Sequence, residues 1–188
     1  MATETPKYKI VKKDGNIELR EYSDYILATV KVKGSTHNNA GNKAFSILAN
    51  YIFGNNIDKS KINMTAPVIS RQQSLSKKIP MTAPITIINN SPDFYEVSFT
   101  MPSVYTIETI PKPVNEMIKL HEIKHHRAVA IIFSGYSSEN KLKTETKALI
   151  EWTKTNKLFQ ISDPILARYD PPWKPGFFRR NEMIVTVK

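Results

Sequence analysis

The sequence predicts an α+β fold built from two copies of one unit, in which two strands are followed by a helix. Three observations support this prediction. Apolar residues alternate over short stretches, they recur every three or four positions over a longer stretch, and the same order returns about a hundred residues later. Because 188 residues with 40% hydrophobic content can bury one full core, we expect a single domain over residues 1–188, with pseudo-repeats at about 8–100 and 101–188.

The first unit is predicted to begin with three strands. Asp14-Gly15 lies within the β-prone stretch 8–22, and Asp-Gly is typical of a two-residue hairpin turn. Over residues 26–32 the even positions are all apolar, and the pattern stops at Gly34. This period of two indicates a half-buried third strand.

A helix is predicted after the third strand. Between Asn39 and Phe53 the apolar residues recur at intervals of three or four, and Gly54 marks the end. These apolar residues are Ala40, Ala44, Ile47, Leu48, Tyr51 and Ile52. Their spacing places them on one face, so we expect an amphipathic helix over 39–53 that lies on the sheet.

The same order returns without a gap when residues 17–52 are set against 118–153. Gly34 then falls on Gly135, and the alternating strand falls on the apolar stretch 128–133. The apolar stripe of the second helix comprises Leu142, Leu149 and Trp152. Because this period is too long for a solenoid, we interpret the chain as two α+β halves that share one core.

Two further stretches complete the predicted elements. Residues 62–68 and 79–85 are near copies of one β-prone string with an internal proline. Proline cannot donate to a strand ladder, which favours an edge, a bulge or a barrel rim. Residues 169–176 contain three prolines and a glycine, which predicts a rigid loop before a last strand at 183–187.

Composition narrows the functional classes. The absence of cysteine excludes disulfides, thiolate-bound zinc and cysteine-attached haem. The 27 Lys and Arg residues against 17 Asp and Glu residues give a net charge of +10, which favours anionic ligands or surfaces. The lysines are scattered and lack neighbouring stacking aromatics, so no nucleic-acid binding is expected.

No membrane span is expected from the hydropathy of the chain. The longest uninterrupted apolar run, 128–133, is far too short to cross a bilayer. The N-terminus also has no apolar stretch of the kind found in secretion signals. We therefore expect a soluble, cytoplasmic protein.

Catalytic and metal-binding signatures are missing from the sequence. The six glycines are dispersed and no G-x-S-x-G string occurs, which argues against nucleotide-phosphate and nucleophile-elbow chemistry. His121 and His125 are four residues apart, but the duplication places both in a strand, where that spacing spans about 13 Å. His125 and His126 would then point to opposite faces. We expect no metal site and no enzyme.

Several strings resemble motifs of the SOUL/haem-binding-protein family. Residues 61–68 and 79–85 resemble its doubled K-I-x-M-T-A-P-V element. The other similar stretches, in order, are Ile17 to Tyr22 for V-E-x-R-x-Y, Leu48 to Asn56 for L-x-x-Y-I-F-G-x-N, Val97 to Pro102 for V-S-F-x-M-P, Tyr169 to Trp173 for Y-x-P-P-W, and Arg179 to Glu182 for R-R-N-E. The resemblance covers nearly the whole chain, from about Tyr8 to Val187.

The resemblance implies a fold and a ligand. The fold is α+β, with duplicated β-α-β-β halves forming a twisted antiparallel β-barrel-like sheet with two packed helices, which agrees with the internal repeat. The implied function is non-enzymatic binding of haem or a related porphyrin in a shallow apolar groove near the first helix, where basic residues meet the propionates. The implied site residues are Lys43, Ile47, Asn50, Tyr51, Met64, Met81 and Lys174.

This sequence departs from the family pattern at three positions. Some members have a histidine, considered an iron ligand, where this chain has Glu21, and basic positions on the first helix correspond to Asn42 and Asn50. A carboxylate does not replace a neutral imidazole as a good haem ligand. Methionines such as Met64 and Met81 more often fill core gaps than ligate iron. We therefore expect little or no axial ligation of iron.

Two alternatives stay open at this point. The duplicated architecture also resembles the effector-binding domains of multidrug-responsive regulators, which hold lipophilic cations near a buried acid. Glu21 or Glu122, at equivalent positions in the two copies, would be that acid, and burial in a shared cavity would make their titration abnormal. The +10 charge and the lack of a preceding helix-turn-helix argue against this alternative. The other alternative is an enzyme that uses Glu21, Tyr22 or Tyr169 as acid–base groups.

Overall fold

A computed structural model describes residues 4–72, 94–170 and 174–188. The second copy of the repeated string, residues 79–85 with Met81, lies outside the described residues, as does part of the proline-rich loop, residues 171–173. The strands, numbered β1 to β9 in chain order, are Tyr8–Asp14, Ile17–Tyr22, Tyr25–Lys33, Val68–Gln72, Phe94–Thr100, Ile118–Ile123, His126–Ser134, Ile165–Arg168 and Arg180–Val187. The helices are α1, His37–Ile52, and α2, Glu139–Thr155, and a short 3₁₀ turn spans Gly176–Phe178.

All nine strands belong to one antiparallel sheet. Their order is β1-β2-β7-β9-β8-β4-β5-β3-β6, so β1 and β6 are its edges. The sheet is curled into a half-barrel, and both helices pack on it. The predicted α+β fold with a barrel-like sheet and two packed helices is confirmed.

The internal duplication is visible in the register of the strands. Setting β2, β3 and α1 against β6, β7 and α2 without a gap superposes equivalent elements. Ile17 pairs with Ile131 between β2 and β7, and the equivalent pair between β6 and β3 joins Ile118 to Val30. Each half therefore contributes one strand to the sheet of the other half. The strand order is symmetric about the central β8–β4 pair, with β1 as an addition.

Local signals placed most elements within a few residues. The hairpin turn is at Gly15, whose positive φ of 57° suits glycine. The helix predicted over 39–53 begins earlier, because the side chain of Thr36 caps it by accepting a hydrogen bond from the backbone N–H of Asn39. β8 was not predicted, since four residues are too few for a periodic pattern.

The first proline string leads into a central strand of the sheet, whereas the sequence favoured an edge, a bulge or a barrel rim. Pro67 immediately precedes β4, and β4 is a central strand between β8 and β5. The proline therefore never occupies a ladder position that needs a donor. Its place just before the first residue of the strand satisfies the same restriction that an edge position would.

Both helices cover one face of the sheet. α1 packs on β3 and β5, and α2 packs on β7 and β9. Ser70 of β4 bonds to His37 of α1, and Ser70 pairs directly with Leu166 of β8, which packs under α2. Directly paired residues of antiparallel strands point to the same side. On this face, β4 and β8 therefore lie between the two helices.

Candidate functional site

An arginine on the strip of sheet between the helices packs directly on α1. Arg168 ends β8, and its guanidinium lies against Gly41 in the interior of α1. A Cβ at position 41 would overlap the guanidinium, so glycine is what allows this close approach. Glycine is unfavourable inside a helix, and the contact with Arg168 gives the physical reason for its presence here.

An apolar surface adjoins this arginine. Phe45, one helical turn after Gly41, packs edge-on against Phe99 with ring centroids 5.5 Å apart, and 39% of it is exposed. Phe99 of β5 pairs with Val68 of β4, and Val68 pairs with Arg168. A row of side chains thus leads from an exposed phenyl ring to a cation. These five residues define what we call the interhelical groove.

Two further basic residues come from the loop between β8 and β9. Arg179 Nε donates to the backbone oxygen of Lys174 at 2.7 Å, and Lys174 Nζ donates to Asp170 at 2.6 Å. Burial, together with the charge of Arg179, lowers the pKa of Arg168. The two guanidinium groups are therefore close enough to interact. Their combined positive potential favours a ligand that carries carboxylates.

His37 connects the start of α1 to the sheet beside Arg168. Its Nδ1 lies 3.0 Å from Ser70 Oγ, and its ring meets the Tyr95 ring edge-on at 4.9 Å. Burial, reinforced by the charge of Arg168, lowers the pKa of His37 to about 4. The imidazole is therefore neutral near pH 7, and its contacts hold the start of α1 on β4.

We expect stability to fall as the pH drops from about 6.5 to about 4, through His37. The unfolded chain binds this proton with a pKa near 6.5, whereas the folded chain binds it only near 4. Below pH 6.5 the unfolded state gains protons first, which destabilises the fold by up to about 3 kcal/mol. Urea unfolding at a series of pH values, compared with the variant His37→Gln, measures this contribution. Parallel pH profiles for the two proteins would contradict it.

Three of the residues implied by the family resemblance lie on the flank of α1 away from the groove. Lys43 Nζ donates to the backbone oxygen of Lys33 in β3 at 2.9 Å. β3 and β8 lie on opposite sides of β5 in the sheet order, so Lys43 points away from Arg168. Ile47 and Asn50 follow Lys43 at helical spacing and share its flank. Ile47 is half-buried and Asn50 is exposed.

The other implied residues are divided between the interior and the surface. Tyr51 is only 1% exposed, and its hydroxyl donates to the backbone oxygen of Pro111 at 2.6 Å, so a ligand on the outer surface of α1 would not contact it. Met64 is 42% exposed in the segment that leads into β4. Lys174 lies beside Arg179. Met81 is outside the described residues.

Sequence reasoning missed most residues of the groove. Phe45 stands beside the apolar stripe of α1 rather than in it, and Arg168 belongs to the unpredicted strand β8. Arg179 is part of the family-like string R-R-N-E but was not assigned a role. The available signal was Gly41, because a glycine in a helix interior indicates close approach of another group.

The histidines are not arranged as a metal site. His121 is exposed on β6. His125, predicted in a strand, lies in the turn before β7, where its backbone N–H donates to Asp24 at 2.8 Å and fixes that turn. His126 opens β7 and stacks on Tyr22 at 5.2 Å. Within the described ranges, no three candidate metal ligands come together.

A buried ion cluster, made of Arg20, Glu18 and Glu182, lies on the sheet face opposite the helices. The fully buried Arg20 donates to both carboxylate oxygens of Glu182, at 2.7 and 3.0 Å, and to Glu18 at 2.8 Å. Glu182 also accepts hydrogen bonds from Arg180 and from the hydroxyl of Tyr169. Although burial opposes the charge, the bonds to Glu182 raise the pKa of Arg20. The buried charges are therefore paired.

Glu21 and Glu122 do not both line the pocket found among the described residues. They lie on β2 and β6, which are near opposite ends of the sheet order. Glu122 pairs with Lys124 at 2.8 Å and lines an open pocket of about 210 Å³ together with Glu4 and Asp24. Glu21 does not line this pocket. The most deeply buried carboxylates among the described residues are instead Glu18 and Glu182 of the ion cluster.

A comparison with family models decides the affiliation of the chain. The model described as SOUL heme-binding protein matches residues 3–76 and 69–186. The chain belongs to the SOUL haem-binding protein family. This membership supports haem or a porphyrin as its ligand class, as the resemblance implied. No curated protein is similar enough to the chain to count as a match.

Solved structures with similar folds agree with the SOUL architecture. The C-terminal domain of EcmrR has a TM-score of 0.67 and 14% identity, covering 96% of this chain and 98% of that one. A hydrolase from Listeria innocua has a TM-score of 0.60 and 13% identity, covering 100% and 94%. At such identities the likeness shows the fold alone. Neither α1 nor α2 is long and apolar enough to span a bilayer, nor is any other described helix.

Proposed function

We propose that this SOUL-family chain binds haem or a related tetrapyrrole in the interhelical groove without catalysing a reaction. The observation that supports this most directly is the position of the exposed Phe45 ring in line with Arg168. A tetrapyrrole has a flat apolar macrocycle with two carboxylates at one edge. Its two ends therefore match the aromatic and the cationic ends of the groove.

Most of the affinity is expected from burial of the macrocycle. Apolar burial contributes about 25 cal/mol per Å², whereas an ion pair with an exposed cation adds only about 0.2 to 1 kcal/mol. Lys174 is such an exposed partner and is already paired with Asp170. Arg168 is more buried, so its pairing with a propionate is less screened by solvent.

Iron is proposed to be dispensable for binding. His37 is buried beneath α1 with Nδ1 on Ser70, and the other three histidines lie along β6 and at the start of β7. None of these four positions presents an imidazole on the groove. Metal-free protoporphyrin should therefore bind within about tenfold of haem, a difference of about 1.4 kcal/mol.

Titration of haem and of metal-free protoporphyrin, followed by Soret absorbance, tests the proposal. We expect Lys174→Glu to weaken binding by about threefold to tenfold, because it places a negative charge opposite a propionate. Lys147→Glu, at an exposed position of α2, is the matched control and should leave binding unchanged. Lys43→Glu tests whether the ligand binds at the other flank of α1.

Three outcomes would contradict the proposal. No saturable change with either ligand would remove tetrapyrrole binding. Weaker binding in Lys43→Glu, with Lys174→Glu behaving like the control, would move the ligand to the opposite flank of α1. Loss of the Soret band in a single His→Ala variant, together with no binding of metal-free porphyrin, would establish axial ligation.

The ion cluster argues against the other two functions. A regulator-like site for lipophilic cations needs a free buried acid, but Glu18 is paired with Arg20 and Lys13, and Glu182 is paired with Arg20 and Arg180. For acid–base catalysis, burial raises the pKa of Tyr22 and of Tyr169, which keeps both protonated near neutral pH. In a dye-displacement screen, anionic porphyrins should therefore displace the dye more strongly than lipophilic cations do.

Nucleic acid is not part of the proposed function. A similar fold occurs in the EcmrR–DNA complex, but the match covers only 57% of that chain, at 14% identity. In this chain the Arg168 guanidinium lies against Gly41, and Arg179 bonds within the β8–β9 loop. These positions favour a small anionic ligand over a nucleic acid.

A further inference from the structure

Three exposed aromatic side chains form a tip at one end of the sheet. Phe177 and Phe178 belong to the 3₁₀ turn before β9, and Tyr136 follows β7. They are 68%, 64% and 68% exposed, respectively. The rings of Phe177 and Phe178 are neighbours, with centroids 4.4 Å apart. We call these three residues the aromatic tip.

The backbone holds the aromatic tip in a fixed geometry. Within the 3₁₀ turn the N–H of Phe178 donates to the carbonyl of Pro175, and the N–H of Arg179 donates to the carbonyl of Gly176, both at 3.0 Å. Gly176 lies directly against the Tyr136 ring, where a Cβ would overlap it. Because the turn is already ordered, docking of its side chains costs little conformational entropy.

A basic side chain lies against the aromatic tip. The Arg179 guanidinium lies 5.4 Å from the centroid of the Tyr136 ring. Lys174 is on the same loop, and the whole chain has a net charge of +10. Exposed phenyl rings beside cations suit the interface of an anionic bilayer, since the rings enter the acyl boundary and the cations meet the headgroups.

We propose that the aromatic tip docks the chain reversibly on membranes that contain anionic phospholipid. A protein partner is less favoured, because three side chains form a small patch compared with a specific protein interface. The proposal goes beyond tetrapyrrole binding. The tip adjoins Arg179 and Lys174, so docking would hold the basic end of the groove near the lipid surface.

Vesicle sedimentation tests the proposal with the full chain and no porphyrin. Wild-type protein is expected to sediment with vesicles of phosphatidylcholine mixed with phosphatidylserine, and much less with phosphatidylcholine alone. The double variant Phe177→Ala/Phe178→Ala should bind the mixed vesicles at least about tenfold more weakly, because it removes the apolar contact. Added salt should weaken wild-type binding. Phe159→Ala, which removes a similarly exposed ring (70%) elsewhere, should bind like wild type.

The outcomes separate this proposal from its rivals. Equal sedimentation of wild type and the double variant, or none for either, would overturn it. An equal loss in Phe159→Ala would also overturn it, since any exposed ring would then suffice. A wild-type chain that self-associates through the tip without binding vesicles would assign the tip to a second copy instead. Because porphyrin is absent from the assay, failure here leaves the proposed tetrapyrrole binding untouched.

Discussion

Replacing Arg20 with methionine is expected to lower the free energy of unfolding by about 3 to 5 kcal/mol. Arg20 is the counter-charge of both Glu18 and Glu182, and all three side chains are almost completely buried. Removing the cation leaves the two buried carboxylates with only the more exposed Lys13 and Arg180 as counter-charges, in a medium that solvates charge poorly. The guanidinium also packs over the Tyr8 ring at 4.3 Å. Urea unfolding of the two proteins measures the difference.

A matched variant distinguishes burial from simple charge loss. Arg180 also bonds to Glu182, but its side chain is 44% exposed. Arg180→Met should therefore cost less than about 1 kcal/mol, the usual range for exposed ion pairs. Similar losses in the two variants would show that burial of Arg20 is not what makes the cluster important.

Cutting the chain between β5 and β6 is expected to abolish cooperative folding of the C-terminal half. The fragment 117–188 lacks β2, whose Ile17 and Leu19 belong to the core under α2, and it carries β6 without its partner β3. The fragment 1–116 likewise exposes β2, which has lost β7. We expect no cooperative urea transition for 117–188 alone. Mixing it with 1–116 should restore one, because the exchanged strands find their partners.

Removal of β1 provides the contrast for this experiment. β1 is an edge strand outside the repeat, and among the described strands it pairs only with β2. A chain that starts at Gly15 should therefore unfold cooperatively, at a lower urea concentration than the full chain. A cooperative transition for 117–188 alone would instead show that the two halves are separable units.

The sequence by itself determined most of the elements and their duplication. Strand and helix periods are local, so α1 was predicted within two residues and the Asp14-Gly15 turn was placed correctly. The ungapped repeat predicted β7 and α2 from β3 and α1. The family-like strings also predicted the ligand class, because they cover most of the chain and the family model matches the same residues.

Only the tertiary structure decided how the halves combine. Periodicity shows that β2 and β6 are equivalent, but not that each pairs with the other half. The local sequence pattern also did not show which charged residues are buried together. Glu21 and Glu122 were the candidates by symmetry, whereas Arg20 selects Glu182, which is 162 positions away.

The position of the candidate site was also decided by the tertiary structure. The helical stripe of α1 predicted which face is buried, but not which flank faces β8. That flank carries Gly41 and Phe45, and the contact between Gly41 and Arg168 identifies it. Local sequence determines which way a side chain points from its own element. The group that it meets depends on strand order and register, which are set by packing between residues distant in the chain.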